Sequence, residues 1–540
     1  MTMRWPLVLA GSLVLQASLG CSDAPNAPVS HAVSGTVTFD KVPSVVKGKN
    51  SAVMSGLDFA STVQRPLRKV DLKIVDSTNL DTVLGTGSTG LDGSYTIILP
   101  PAVSAAAVRL IAFARTSGPK TQVQDNTAGK SVYAWASPAI TLAGAVTTLN
   151  ANIPSGWNGS AYGNRFAAPF AVLDATTQAA LAFLAVRPAA AFPDLAVNWS
   201  PNNIPAVKLA SETQEEAYAA GRINTSHWNK LELYILGKED VDTDEYDDHV
   251  IVHEWGHYFE SKLGRSDSPG GRHSAGDLKD ARLAFGEGWG NALSGMVWAP
   301  NTVYADSTGA GQAKGFGYDL EDNAGRDPNP GWYSEASIQA ILFDLFDDSG
   351  TTEPFDKVAL GLGPIFDAMT VAQKATPAFT TLFSLVAALK AALPAQAAAI
   401  DTLTAYRGVL EVPVADEEGT GETNSGGDPA NLPLYASIAI GGSREVTLLG
   451  SAGTLPNDLG QNRYLRFTGD GSSHVVTTST PGGEDVDLYV SQRGQTVAFK
   501  ATNSGNETTV SFATNSGERY IILVRGFGTS ASYTSTVSVQ

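Results

Sequence analysis

Residues 246–262 read YDDHVIVHEWGHYFESK, and the spacing of the histidines in this stretch predicts the structure at the centre of the chain. On a helix, side chains four residues apart lie on one face, with Cα atoms about 6 Å apart. His253 and His257 have this spacing within HEWGH, so their imidazoles can share one zinc ion. Glu254, next to His253, can reach the open coordination position and act as a general base. The stretch therefore predicts a helix that holds a zinc site.

A third histidine, His249, lies one turn before His253 on the same predicted helix. His249 and His257 would be about 12 Å apart along the helix axis. One ion cannot bind both residues. His249 is therefore predicted to support a ligand histidine or the start of the helix, and not to bind the metal.

The third zinc ligand must come from elsewhere in the chain. One class of zinc peptidases extends the motif with a histidine where this chain has Leu263. HEWGH together with LAFGEGWGNALSGM, residues 283–296, resembles the gluzincin metallopeptidases, which take a glutamate ligand from a later helix. The resemblance implies that Glu287 is the third ligand. It also implies that Asn291 accepts a hydrogen bond from a ligand histidine, a role commonly held by aspartate in that family.

Three further features are candidates for the site. His273, in GGRHSAGD, lies between the two ligand segments and either enters the cleft or orders a loop. Tyr333, in GWYSEAS, either donates to the tetrahedral oxyanion, as tyrosine does in some gluzincins, or packs in the core. The acidic loops 319–330 and 346–356 have the oxygen-rich composition of Ca²⁺ sites, although solvated loops share that composition.

Composition limits the class of protein. The chain has 540 residues, of which 43% are apolar and 17% charged, and this suits several folded domains. The formal net charge of −18 argues against a nucleic-acid partner, because no excess of lysine and arginine is available to replace counterions. Cys21 is the only cysteine, so no internal disulfide can form.

The N-terminus is typical of an export signal. Residues 1–21 combine Arg4, an apolar run and small residues up to Cys21. The end of this segment resembles the lipobox of bacterial lipoproteins, although Ser18 stands where the pattern prefers leucine. The resemblance implies lipidation of Cys21 and a place at the outer membrane or cell surface, whereas cleavage alone would give a secreted protein. No other apolar run approaches the roughly 20 residues of a membrane span, so the lipid is the expected membrane attachment.

Changes in pattern predict the order of the domains. A polar tether, 22–31, precedes a β-sandwich, 32–154, whose alternating strands resemble a carboxypeptidase-regulatory-like domain. Helical patterns over 155–413 predict the catalytic domain. An acidic linker, 414–432, leads to alternating strands over 433–540 that resemble the bacterial pre-peptidase C-terminal domain. The predicted fold class is multidomain, with an α+β zincin-like domain flanked by two all-β sandwich domains.

These features predict an exported zinc peptidase that acts on protein or peptide substrates. LELYILG, residues 231–237, is the expected edge strand for an extended substrate. Two alternatives stay open: a surface adhesion or binding lipoprotein that keeps the zincin domain as a scaffold, and a zinc hydrolase acting on cell-wall peptides. An intact Glu254 argues against a mere scaffold. The sequence leaves the substrate, the mode of cleavage and the oligomeric state open.

Overall fold

A computed structural model of the chain describes most of the sequence. It covers residues 31–46, 55–101, 107–321, 326–347, 353–410, 416–451, 455–501 and 507–540. The predicted signal peptide, Cys21 and all of the tether except His31 lie outside the described residues. The described residues form a mixed α/β chain with several β-sheets.

The first part of the chain is built from strands whose apolar residues alternate with polar ones. Val70, Leu72 and Ile74, for example, are buried, and the residues between them are partly exposed. The strands are β1 (Ala32–Lys41), β2 (Ser44–Val46), β3 (Ser55–Leu57), β4 (Val63–Pro66), β5 (Val70–Asp76), β6 (Val83–Ser88), β7 (Ser94–Ile98), β8 (Ala107–Ser117), β9 (Lys120–Asp125), β10 (Ser131–Val132), β11 (Ala134–Ala136), β12 (Ile140–Thr141), β13 (Val146–Thr148) and β14 (Ala151–Ile153).

The central part combines helices with short strands. The helices are α1 (Ala168–Val186), α2 (Gln214–Ala219), α3 (Asp248–Lys262), α4 (Ala281–Trp298), α5 (Glu335–Phe346), α6 (Leu362–Asp367), α7 (Gln373–Ala375), α8 (Leu382–Ala392) and α9 (Ala397–Tyr406). The strands are β15 (Leu195–Trp199), β16 (His227–Trp228), β17 (Leu233–Ile235), β18 (Gly237–Lys238), β19 (Asp242–Thr243), β20 (Val303–Thr308) and β21 (Lys314–Asp319).

The largest sheet joins the first part of the chain to the central part. Its strand order is β16-β17-β15-β9-β8-β5-β6, and β10, β11 and β12 pair at its side. Strand β9 runs parallel to β15, with Val123 beside Val197. The segments predicted as a sandwich and as a catalytic domain therefore share one sheet, and their buried side chains form one apolar core.

The free edge of this sheet differs from the prediction. Strand β17, the centre of the LELYILG segment, lies between β15 and β16. The prediction that LELYILG forms the edge is therefore wrong, and the edge strand is β16. Two residues, His227 and Trp228, are too few to show the alternation by which a strand is recognised in a sequence.

Helix α1 is the described helix that is long and apolar enough to cross a membrane, by length and composition. The prediction that no other apolar run approaches the length of a membrane span is therefore wrong. The apolar residues of α1 are used in packing, since 67% of the apolar window is buried within the fold. The Phe183 ring stacks on the Phe259 ring of α3, with centroids 4.6 Å apart. Helix α1 thus packs against the helix that carries HEWGH.

The last part of the chain forms two facing antiparallel sheets. Their strands are β22 (Tyr435–Ser437), β23 (Ser443–Leu449), β24 (Asn462–Thr468), β25 (Ser473–Ser479), β26 (Val486–Gln492), β27 (Gln495–Lys500), β28 (Glu507–Ala513), β29 (Arg519–Gly526) and β30 (Ser532–Val539). The strand orders are β22-β24-β29-β26-β27 and β23-β30-β25-β28, with only the β22–β24 pair parallel. Apolar residues of both sheets share one core, as in a β-sandwich.

This sandwich packs against the start of helix α4. Asp280 is the N-cap residue and accepts a hydrogen bond from the backbone N–H of Arg282 at 3.0 Å. The Tyr464 hydroxyl donates to Asp280 at 2.6 Å, and the Asn462 amide donates to it at 2.8 Å. The C-terminal sandwich therefore helps to fix the helix that carries Glu287.

Candidate metal centre

The predicted ligands lie where helices α3 and α4 cross, and glycine residues allow the close approach. A Cβ atom added to Gly256 would lie 3.1 Å from the Cα of Gly290. A Cβ atom added to Gly290 would lie 2.8 Å from Nδ1 of His253, closer than such atoms pack. The glycines of HEWGH and GEGWGN thus make room for the His253 imidazole between the helices.

Three side chains converge at this crossing. Nε2 of His253 and Nε2 of His257 are 3.1 Å apart. Oε2 of Glu287 lies 3.3 Å from the first of these nitrogens and 3.4 Å from the second. Ligand atoms of the three residues all lie within 4.8 Å of one another.

This triangle has the size that one zinc ion needs. Ligand atoms about 2.0–2.1 Å from zinc, at tetrahedral angles, are about 3.3 Å apart. The three measured distances lie between 3.1 and 3.4 Å. Two imidazoles and one carboxylate are also a donor set that zinc accepts, with a fourth position open. The residues therefore fit zinc in both geometry and chemistry.

Asn291 fixes the orientation of His253. Nδ1–H of His253 donates to Oδ1 of Asn291 at 2.8 Å, and both side chains are buried. The proton on Nδ1 leaves Nε2 with its lone pair directed at the other ligands. Asn291 is one helical turn after Glu287, so one face of α4 supplies both groups.

Glu254 is held beside this centre by the edge strand. Its Oε2 accepts a hydrogen bond from the backbone N–H of Trp228, at 2.9 Å. Trp228 belongs to β16, so the sheet edge positions the carboxylate. The side chains of Glu254, His253 and Glu287 line a cleft of about 1420 Å³.

His273 enters the same cleft. Its Nε2 is 3.2 Å from Oε2 of Glu287, and its Nδ1 is 2.7 Å from Oε2 of Glu335 at the start of α5. Burial would lower the pKa of His273, but the hydrogen bond with Glu335 and the charge of Glu287 raise it to about 9. Of the two roles considered for His273, cleft residue and loop residue, the first matches its position.

The charges at the crossing stabilise one another. Burial would raise the pKa of Glu287, but the neighbouring histidines hold it well below its usual range. Burial would lower the pKa of His257, but without a bound metal the Glu287 carboxylate raises it to about 10, so a metal ion would have to displace this proton. The carboxylate is therefore ionised and available as a ligand.

Two predicted residues lie away from this centre. Nε2 of His249 is 3.2 Å from the backbone oxygen of Asn301, and burial lowers the pKa of His249 to about 4, so its ring is neutral. This contact ties α3 to the segment after α4. The Tyr333 hydroxyl donates to Oδ1 of Asn424 at 2.9 Å, within the linker, and is therefore turned to the linker side of the molecule.

Two other buried residues near the centre, one of them outside the cleft lining, were not singled out in the sequence. The ring of Tyr304, on β20, lies edge-on to the His253 ring at 6.4 Å between centroids. Glu260 is buried in α3, and burial raises its pKa to about 8. Tyr304 sits in an alternating strand after α4, which is a weak signal, whereas the position of Glu260 in HYFESK carries none that separates it from a surface residue.

A group of aspartates also lines this cleft. Ligand atoms of Asp242, Asp244 and Asp306 lie within 4.8 Å of one another. These residues are outside the two acidic loops that were predicted as Ca²⁺ sites. Parts of those loops, 322–325 and 348–352, lie outside the described residues.

Comparison with known proteins gives only matches of low similarity. No model of a known protein family and no curated protein sequence matches the chain. The pre-peptidase C-terminal domain of a collagenase from Bacillus anthracis aligns with 20% of this chain and 94% of its own, at 14% identity and a TM-score of 0.17.

Two other solved structures show the same low level of similarity. CorA, a surface-associated copper-binding protein of Methylomicrobium album BG8, covers 20% of this chain and 98% of its own, at 8% identity and a TM-score of 0.16. A 9R-lipoxygenase from Cyanothece covers 69% of this chain and 51% of its own, at 11% identity and a TM-score of 0.14. TM-scores of this size do not show a common overall fold.

Proposed function

We propose that this chain is an exported zinc-dependent peptidase with a zincin-like catalytic region. One observation carries the proposal: His253, His257 and Glu287 form a triangle of zinc-ligand size beside the carboxylate of Glu254. Export is supported by the N-terminal signal pattern, which also suggests a lipid anchor at Cys21.

Each residue of the centre has a distinct role in this proposal. His253, His257 and Glu287 bind zinc, and Asn291 holds His253 in the tautomer that leaves Nε2 free. When bound, zinc supplies Lewis acidity, which polarises a peptide carbonyl and lowers the pKa of water. The Glu254 carboxylate takes a proton from the attacking water and passes it to the nitrogen of the leaving amine.

His273 is the residue best placed to stabilise charge on the substrate. Its hydrogen bond with the Glu335 carboxylate favours the protonated imidazole, and its Nε2 lies 3.2 Å from Oε2 of Glu287 at the ligand triangle. A protonated Nε2–H can donate to the carbonyl oxygen, on which negative charge develops during attack. This assigns to His273 the role for which Tyr333 was also considered.

The proposal is tested by comparing the wild-type mature chain with Glu254→Gln. Both are measured for zinc content and for hydrolysis of casein and of a mixed peptide library. The expected result is stoichiometric zinc in both proteins, and hydrolysis reduced at least about 1000-fold in the variant, since the general base is lost. Glu445→Gln, the same change at an exposed position of the C-terminal sandwich, is the matched control and should remain active.

Two outcomes would contradict the peptidase proposal. Wild-type protein that binds zinc but cleaves neither casein nor peptides would favour the adhesion scaffold, or a hydrolase of cell-wall peptides if isolated cell-wall peptides are cleaved. Full activity in Glu254→Gln would remove Glu254 from the reaction.

A further inference from the structure

The aspartates in the cleft wall form a second group of converging ligands. Asp242 lies on β19, Asp244 follows it, and Asp306 lies on the neighbouring strand β20. Their ligand atoms lie within 4.8 Å of one another. All three residues offer only carboxylate oxygens as ligands, whereas the centre at the helix crossing has two imidazole nitrogens and one carboxylate.

The charge of this group has no compensation among the described residues. Asp244 is only 2% exposed, and its Oδ1 has no hydrogen-bond partner, although its other oxygen accepts from Ser226. Oδ1 of Asp242 is likewise buried without a partner. In the described part of the chain, no lysine, arginine or histidine forms an ion pair with any of the three.

The surrounding groups do not relieve this deficit. Asp247, which begins α3, is occupied by Ser307 and Ser44, both of which donate to it. Glu245 is paired with Arg165. Burial, followed by repulsion from neighbouring aspartates, raises the pKa of Asp244 and Asp306 well above the usual value. Buried oxygens without partners are costly unless a cation binds them.

We propose that Asp242, Asp244 and Asp306 bind one calcium ion. Calcium takes oxygen ligands at about 2.3–2.6 Å, so oxygens up to about 5 Å apart can share one ion. The ligand atoms of the three aspartates lie within 4.8 Å of one another and so meet this condition. The orphaned Oδ1 of Asp244 supplies the buried ligand, and the open cleft supplies water for the remaining positions. This site does not depend on the proposed peptidase activity.

The ion would link two parts of the cleft wall. Asp242 and Asp244 belong to the segment that enters α3, and Asp306 belongs to β20. Tyr304 of the same strand contacts the ring of His253. Calcium would therefore fasten β20 to the start of the HEWGH helix, and its binding should stabilise the cleft without taking part in the reaction.

Calcium binding is tested on the full mature chain, loaded with zinc and dialysed into calcium-free buffer. Isothermal titration with Ca²⁺ alone should show about one site per chain, with Mg²⁺ weaker because its smaller shell tolerates irregular sites poorly. Saturating Ca²⁺ should raise the melting temperature by at least about 2 °C. Asp306→Asn and Asp242→Asn should abolish both effects.

The matched control is Asp240→Asn, the same change in the same hairpin but outside the group. Its carboxylate is exposed and accepts from the backbone of Gly311, so calcium binding should be unchanged. In calcium-free buffer Asp306→Asn should melt at or above the wild type, which shows that it folds. Calcium is tested up to about 5 mM, which exceeds the dissociation constants of weak calcium sites. The proposal is overturned if calcium gives neither heat nor a shift in the melting temperature, or if both asparagine variants respond like the wild type. It is also overturned if zinc fills the site instead.

Discussion

At the scale of single residues, the centre depends on where each proton sits. Asn291 is uncharged, yet its Oδ1 accepts from Nδ1–H of His253 as an aspartate would. The motif HEWGH identifies His253, Glu254 and His257 because their spacing is local. The contacts of His273 with Glu287 and Glu335 depend on three distant segments, so no spacing in the sequence could reveal them.

Asn291 should matter for zinc affinity more than for the fold. Replacing it with alanine removes the acceptor that orients His253, so zinc affinity should fall about 10- to 100-fold. Asn291→Asp restores an acceptor and adds charge, so its affinity should equal or exceed that of the wild type. Competition with a chelator of known affinity measures both variants. Equal affinities for alanine and wild type would show that Asn291 does not orient the ligand.

His273 should affect turnover and leave the metal in place. We expect His273→Gln to keep its zinc and to lower kcat about 100-fold, because the donor to the carbonyl oxygen loses its charge. His227→Gln, which changes another histidine that lines the cleft, is the matched control. Loss of zinc from His273→Gln at unchanged folding would instead identify His273 as a ligand.

At the scale of elements, the packing and pairing of helices and strands was harder to predict than the elements themselves. The helix over HEWGH and the alternating strands of the first segment are confirmed, because both arise from local periodicity. The pairing of β9 with β15 and the edge position of β16 were not foreseen, since pairing between distant strands leaves no trace in alternation. The role of the glycines in GEGWGN depends on how closely α3 and α4 approach each other, which the sequence does not show.

The crossing of α3 and α4 predicts opposite effects for two glycines of one helix. Gly290→Ala places a Cβ atom 2.8 Å from Nδ1 of His253, so the imidazole must move and zinc affinity should fall. Gly286→Ala meets its nearest atom at 3.4 Å, an ordinary contact. It should keep zinc and gain up to about 1 kcal/mol from helix propensity. Zinc titration and thermal unfolding of both variants test this pair, and equal zinc affinities would contradict it.

At the scale of the whole molecule, the acidic group in the cleft couples stability to pH. Burial, followed by repulsion from Glu245, raises the pKa of Asp242 to about 6, and burial also raises the pKa values of Asp244 and Asp306 well above the usual value. In an unfolded chain an aspartate has a pKa of about 3.9. A pKa raised by folding adds stability at low pH, and this stability is lost as pH rises through the folded value.

Calcium-free protein should therefore lose stability between about pH 4 and pH 6 through Asp242, and Asp244 and Asp306 should add to this loss as pH rises above about 4. Other groups around the cluster contribute their own slopes, namely Asp247, Tyr304 and Lys41. Most of these contributions cancel when the pH dependence of Asp306→Asn is subtracted from that of the wild type. From pH 5 to pH 8 the free energy of unfolding should fall more in the wild type, because only the wild type has a carboxyl group at position 306 that loses its proton. Saturating Ca²⁺ should reduce the wild-type slope, since bound calcium stabilises the ionised carboxylates. Denaturant titrations across this range measure the slopes, and parallel curves for the two proteins would show that the group is not the source of the pH dependence.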